Sequence, residues 1–331
     1  MLRMATPRRA LFASLLPAGA AHAQQPAPHY PDRAITLVAP FSTGGAADLA
    51  ARILAGQAPR LLGSPPQAMV VENRPGASGA VGTTHVLRAR ADGYTLLLAR
   101  VGSSAILPAT DPRTPYAWDE FSMLGLLDEN PFTLCVRADS PFRKLEDLLA
   151  ALRDRPGQLN FATTGPATIL DLGVRQLFIT TGLALDAGTA VPFRGGGDAV
   201  AALLAGQVQF IGANLTETLA GISNRQLRAL AVATEARLPT LPGVPTTKEL
   251  DLPGLQALAG WNALFGPPNL PEPILLAWDR CLARLATDNA WLNAVRRIGG
   301  VPKLLNRTAT RSYVGAQVAL YRDLARRLGM V

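Results

Sequence analysis

Apolar positions along the chain alternate between short runs with strand-like spacing and longer stretches with helical spacing. Residues 35–39, 68–71 and 95–99 read as strands, and residues 46–62 and 79–90 as helices. Pro59 falls late in the first helix and is expected to end or kink it. Farther on, residues 132–136, 159–162, 190–193, 208–211 and 229–233 read as strands. Between them, the segment opening at Ser140 places Leu145, Leu148, Leu149 and Leu152 on one apolar stripe, and residues 169–181 and 198–205 are helical. Residues 274–285 and 310–328 are amphipathic helices. This order predicts βαβ units, an α/β fold with mostly parallel sheets flanked by helices.

The pattern weakens at residues 108–115 and again at 239–253, both rich in proline. A second α/β unit lies between these stretches. The expected organisation is a discontinuous first domain, residues 24–130 with 251–331, and an inserted second domain, residues 131–250. Ligands of such sheets bind outside the carboxyl ends of the strands, so a cleft between the domains is the expected site.

Composition narrows the picture. The 331 residues are 48% hydrophobic and 17% charged, enough to bury a core. Arg3, Arg8 and Arg9 precede an apolar stretch over residues 10–20, and Ala21-His22-Ala23 has the small-x-small form of a cleavage site. An export signal cut after Ala23 is expected, by the general route or, given Arg8-Arg9, the twin-arginine route. The destination is the periplasm. No later apolar stretch is long enough to span a membrane. The net charge of +8 includes those three arginines, and the other basic residues are scattered. With aromatics at only 6%, a nucleic-acid partner is not expected. Beyond the signal only His29 and His85 remain, so no histidine-based metal site or triad can form. Cys135 and Cys281 each sit in apolar runs; they are either buried thiols or, given export, a disulfide.

Four turns share one grammar of strand, small residues, then helix: Phe41-Ser42-Thr43-Gly44-Gly45, Pro75-Gly76-Ala77-Ser78-Gly79, Thr163-Thr164-Gly165-Pro166-Ala167-Thr168 and Arg194-Gly195-Gly196-Gly197. The first turn of a helix leaves backbone N–H groups unpaired at the positive end of its dipole. Glycine lets a ligand approach that backbone. A carboxylate there gains charge-assisted hydrogen bonds of about 1.5–3 kcal/mol each. The competing reading is that the glycines only make tight turns. No turn has the lysine of a nucleotide loop or the first-turn glycine spacing of a dinucleotide site.

Longer stretches narrow the choice. YPDRAITLVAPFSTGGAADLAARILA (residues 30–55), VVENRPGASGAVGTTHVLRARADGYTLLLA (70–99) and VPFRGGGDAVAALLAGQVQF (191–210) occur in that order. LRALAVATEARLPTLPGVPTTKEL (227–250) and WNALFGPPNLPEPI (261–274) follow. Together they closely resemble the Bug-type receptors of tripartite tricarboxylate transporters. The resemblance implies a two-domain periplasmic binding protein, type II-like, that closes on a small carboxylate and then docks on the membrane subunits. It implies that the first two turns grip the carboxylate through backbone groups, with Phe41, Thr43, Gly44, Gly45 and Asp48 in one and Gly76, Ala77, Ser78 and Gly79 in the other. Asp48 could instead cap its helix or order the turn. No cofactor, metal or catalytic residue is implied, and nothing argues against a monomer.

The chain departs from the family pattern at several places. Thr43 stands for a usual proline and Ser78 for a usual glycine. In the second domain the usual histidine is Asp171, and Asp198 stands where proline is common. If either acid faces the cleft, it repels a second carboxylate; Arg100, at a strand's carboxyl end, could oppose them, clamp a second carboxylate, or pair with an acid. Ser42, Ser103, Thr164, Gly165, Thr168, Phe193 and Gly195 complete the candidate ligand-binding set. The expected ligand carries one carboxylate and a neutral or cationic far end, such as an amino acid or heteroaromatic acid, with a dicarboxylate as the alternative. Two other functions stay open: a receptor that signals to a sensor kinase, and, more remotely, a carboxylate-processing enzyme. Against the enzyme, the sequence has no serine nucleophile elbow, histidine cluster or metal-spaced set.

Overall fold

A computed structural model describes residues 30–330, so the expected export signal and cleavage site lie outside the described residues. Ten strands follow in chain order: β1 (Ile35–Ala39), β2 (Met69–Asn73), β3 (Thr95–Arg100), β4 (Ser122–Arg137), β5 (Leu159–Thr163), β6 (Gly188–Pro192), β7 (Phe210–Asn214), β8 (Leu227–Val232), β9 (Ala259–Gly266) and β10 (Val301–Leu305). The helices are α1 (Ala46–Gln57), α2 (Pro59–Leu62), α3 (Ala80–Leu87), α4 (Leu107–Thr110), α5 (Leu145–Asp154), α6 (Ile169–Thr180), α7 (Gly196–Leu204), α8 (Leu215–Ser223), α9 (Pro253–Gln256), α10 (Glu272–Leu285), α11 (Asn289–Arg297) and α12 (Arg307–Arg327). Pro59 breaks the first helix as expected, into α1 and α2.

The sheet runs β2-β1-β3-β9-β4-β7-β5-β6, with β8 and β10 also paired to β4. The expected parallel pairing holds in β2-β1-β3 and in β7-β5-β6. Antiparallel ladders of β9 and β4 join the two groups. β4 is longer than the expected strand at 132–136, because bulges between Met123 and Gly125 and between Leu126 and Asp128 break the alternation of its first half. That half pairs with β9 and β10, and the second half with β7 and β8.

Strand direction places the site. β3 and β4 are both antiparallel to β9, so β1, β2, β3 and β4 point one way. β7 is antiparallel to β4 and parallel to β5, so β5, β6 and β7 point the other way. The carboxyl ends of both groups therefore point toward the middle of β4. Arg100 at the end of β3 lies level with Asn262 of β9 and thus with Asp128 of β4; Asn214 at the end of β7 lies level with Phe132. The two edges face each other across four residues of β4, roughly 13 Å at about 3.3 Å per residue.

Period-two alternation sends the side chains of β1 and β3 into two cores. Leu37, Leu96 and Leu98 join Leu54 of α1, Trp278 of α10 and Trp291 of α11 on one face. Val38, Leu97 and Ala99 join Trp261, Phe265 and Tyr321 of α12 on the other, and that core continues through Phe132 to Phe161, Phe178 and Phe210. Cys135 and Cys281 are buried free thiols, which decides the earlier alternative. Among the described residues no helix is long and apolar enough to cross a membrane.

Candidate functional site

All four predicted turns lie at these facing edges. The first leads from β1 to α1, the second from β2 to α3, the third from β5 to α6 and the fourth from β6 to α7. None of these helices has a side-chain cap on its first N–H groups, and the residues at the cap positions are Gly45, Gly79, Thr168 and Gly195. Other helices are closed: Asp288 accepts from Trp291 N–H in α11, Asn306 from Ala309 N–H in α12, and Glu217 from Asn214 N–H in α8. The four N-termini at the facing edges are thus open to an anion; α10, with Pro271 at its cap position, also lacks a side-chain cap but follows β9 at the opposite end of the sheet.

The strand group β1–β3 brings its turns into contact. A Cβ built on Gly79 would lie 2.8 Å from Ser103 Cβ and 3.0 Å from Phe41 Cζ. Phe41, Gly79 and Ser103 thus meet at one point, and Ser103 is a buried wedge whose carbonyl accepts from Tyr116 OH at 2.7 Å. Gly76, Ala77, Ser78 and Gly79 all have positive φ. Left-handed Ala77 and Ser78 store strain that the surrounding contacts must hold. Ser42, Thr43, Gly44, Gly45, Gly76, Ala77 and Ser78 are exposed.

Asp48 takes the structural role. Its Oδ2 accepts from Gly44 N–H at 3.0 Å and from Arg52 Nε at 2.9 Å. Burial would raise its carboxyl, but the Arg52 and Gly44 hydrogen bonds outweigh that and hold it below the usual range. Asn73, which the sequence reading missed, donates to Phe41 O at 3.1 Å and ties β2 to the first turn.

In the β5–β7 group, Thr168 Oγ1 donates to Gly165 O at 2.8 Å and Thr163 Oγ1 donates there at 3.1 Å, so the hydroxyls hold the turn. Phe193 N–H donates to Thr163 O at 2.8 Å. Thr164, Gly165, Phe193 and Gly195 are half-buried. The two acids singled out earlier differ sharply. Asp171 is buried, with Arg175 Nε at 2.9 and 3.1 Å from its two oxygens, so a cation already answers its charge. Asp198 is exposed in the first turn of α7.

Between the two strand groups lies a buried polar row that the sequence reading caught only at Arg100. Arg100 Nη1 donates to Asn262 Oδ1 at 3.2 Å, and Asn262 Nδ2 donates to Asp128 Oδ1 at 2.7 Å. Asn130 Nδ2 donates to the same oxygen at 2.8 Å, and Thr216 Oγ1 of α8 donates to Asn130 Oδ1. Burial pushes the Asp128 carboxyl up to about 7, tempered by Asn262 and Arg100. Burial also raises Glu217, tempered by Arg100 and Asn214. The readable signals were a lone asparagine inside Trp261-Asn262-Ala263-Leu264-Phe265 and the capping-box spacing of Asn214 and Glu217. A cavity of about 530 Å³ lies elsewhere, lined by Leu124, Asp279, Leu282, Leu304 and Arg307 among others, and by none of the predicted site residues.

Residues 50–322 match the family described as tripartite tricarboxylate transporter family receptor, TctC. The chain belongs to this family. Protein BugT of Bordetella pertussis is 31% identical over 304 residues, covering 91% of this chain and 90% of its own length. A relative from Pseudomonas sp. (strain P51), known by its place in the tcbD-tcbE intergenic region, is 34% identical over 283 residues, covering 83% and 82%. Among solved structures, the periplasmic binding protein BugD matches with TM-score 0.80 at 29% identity, over 91% of this chain and 99% of its own. MatC from Rhodopseudomonas palustris, solved with bound malate, matches with TM-score 0.78 at 27% identity, over 89% and 100%. An R. palustris protein solved with adipate matches with TM-score 0.83 at 27% identity, over 91% and 98%. The Bug-type resemblance and the α/β binding-protein fold expected from the sequence are thereby confirmed, and the TctC receptors are solute-binding proteins.

Proposed function

We propose that this TctC receptor is exported to the periplasm, captures a small carboxylate between two closing lobes, and delivers it to the membrane subunits of a tripartite tricarboxylate-type transporter. It does so without chemistry on the ligand. The observation that carries the reading is the set of four uncapped helix N-termini on two facing strand edges. Each supplies unpaired N–H groups and the positive end of a dipole. The malate and adipate bound by the two R. palustris relatives fit the same chemistry.

The lobes are residues 24–130 with 251–331, and 131–250. The change of partners along β4 supports a crossing near Asn130 and Pro131. A ligand would first meet the Phe41–Asp48 and Gly76–Gly79 turns; closure would then bring up the Thr164–Thr168 and Phe193–Gly195 turns. Asp48, Thr168 and Ser103 would shape the turns, and the exposed Ser42, Thr43 and Ser78 hydroxyls would be free to donate.

Thermal unfolding against a panel of dicarboxylates, tricarboxylates, amino acids and aromatic acids tests the reading. A ligand at 100 times its dissociation constant adds about 2.7 kcal/mol, a shift of a few degrees in a chain of this size. No response from any carboxylate, after removal of co-purified ligand by unfolding and refolding, would refute it.

A further inference from the structure

Arg100 ends β3 at the lobe edge that carries the Phe41 and Gly79 turns, three residues before the Ser103 wedge that touches both. It is 6% exposed. A guanidinium presents five N–H donors in a rigid fork suited to a carboxylate. Its side-chain bond here goes to a neutral amide, Asn262 Oδ1 at 3.2 Å. Among the described residues no Asp or Glu oxygen lies within 4.0 Å of it. A buried cation with a single side-chain hydrogen bond, beside two turns that expose backbone N–H groups, has donors suited to an anionic group.

The surroundings are arranged to keep that cation available. Asp128 is turned away onto Asn262 and Asn130, and Glu217 gives one oxygen to Asn214 N–H at 3.1 Å. Both acids act on Arg100 through space, not by contact. Of the two acids expected to repel a second carboxylate, Asp171 is paired with Arg175, while Asp198 stays exposed in the first turn of α7.

We propose that Arg100 is a specificity-determining residue that receives a second carboxylate of the ligand, which makes the ligand class the dicarboxylates and excludes their half-amides. This rests on the carboxylate-receptor reading above, in which the helix N-termini take the first carboxylate.

Two acids share the field of Arg100. Asp128 is faced by Arg100 from β3, Asn262 from β9, its neighbours Glu129 and Asn130 on β4, and Tyr313 from α12; Glu217 faces Arg100 from α8. A second anion placed on Arg100 competes for its field and pushes both acids further in the raised direction.

The test is titration calorimetry of the receptor with straight-chain dicarboxylates from succinate to suberate, each beside its half-amide. At least one dicarboxylate is expected to bind about 10-fold or more tighter than its half-amide. Arg100→Gln should collapse that ratio to about 1. The comparison of dicarboxylate with half-amide on the unaltered receptor needs no variant, and Arg100→Lys, which keeps the charge, should retain part of the ratio even if Arg100→Gln does not fold. Equal binding of dicarboxylate and half-amide, or a ratio that survives in Arg100→Gln, would overturn the assignment of Arg100 and leave the carboxylate reading in place. Binding of neither form, at any length, together with silence across the wider carboxylate panel, would overturn both.

Discussion

Gly79 sits where the lobe's turns meet, and Gly79→Ala is a graded test of that junction. The residue has φ +92, and the added methyl would lie 2.8 Å from Ser103 Cβ and 3.0 Å from Phe41 Cζ. Holding alanine in a left-handed conformation costs about 1–2 kcal/mol. Overpacking a tight contact costs about 1–3 kcal/mol. The stiffer unfolded chain returns about 0.4–1 kcal/mol. The net expectation is a loss of about 1–5 kcal/mol, read by urea unfolding. Two other turn glycines separate the contributions. Gly165 has φ +108 with no atom within 4 Å of its Cβ, so Gly165→Ala carries strain without a clash. Gly195 has an extended φ of −162 and open space, so Gly195→Ala should stay within about 0.5 kcal/mol of the parent. The expected order of destabilisation is Gly79, Gly165, then Gly195. A Gly79→Ala receptor as stable as Gly195→Ala would refute the packed junction of Phe41, Gly79 and Ser103.

Three further outcomes follow from the buried groups. Asp128 titrates at about 7 in the folded chain against about 3.9 unfolded; the folded chain then binds more protons between those values, so stability should fall as pH rises from about 4 to about 7 and level off above. Asp128→Asn should flatten that slope, measured as urea midpoints at acid and alkaline pH; an unchanged slope would contradict the buried carboxyl. Asp171→Asn removes the negative charge and one of the two oxygens that accept from Arg175 and should cost about 1–2 kcal/mol of stability while leaving carboxylate affinity within about 3-fold; a larger loss of affinity would put that acid within reach of the ligand. Burial pushes the Cys135 thiol up to about 11 and Cys281 to about 12, so a thiol reagent should titrate both only after unfolding; rapid reaction of the native receptor would place a thiol at the surface.

The parts of the fold that follow simple periodicity were legible. β1, β3, β5 and most helices could be placed because each presents one apolar face, and the turns because glycine after a strand has a local cause. The centre of the sheet was not. β9 is buried on both faces, so it has no alternation to read, and it follows a proline-rich connector. The first half of β4 hides behind two bulges and the polar run Asp128-Glu129-Asn130 before Pro131. Those same residues build the row that joins the lobes, since polar side chains satisfied across strands look like loop in one dimension. The location of the turns was therefore readable, but the partners of the acids were not. Arg175 lies one helical turn from Asp171, a spacing that predicts a pair, whereas Asp128 and Asn262 are 134 positions apart and only strand register joins them.

The central claim is that backbone amides of four turns grip the ligand between two facing strand edges. Backbone amide NMR of the labelled receptor, titrated with whichever carboxylate stabilises it most, tests this directly. The account predicts that the largest shifts fall on residues 43–48, 76–80, 165–171 and 195–198, with Arg100 side-chain signals moving as well if the ligand is a dicarboxylate. Saturable binding with shifts confined elsewhere, such as around Leu282, Leu304 and Arg307 at the separate cavity, would contradict it.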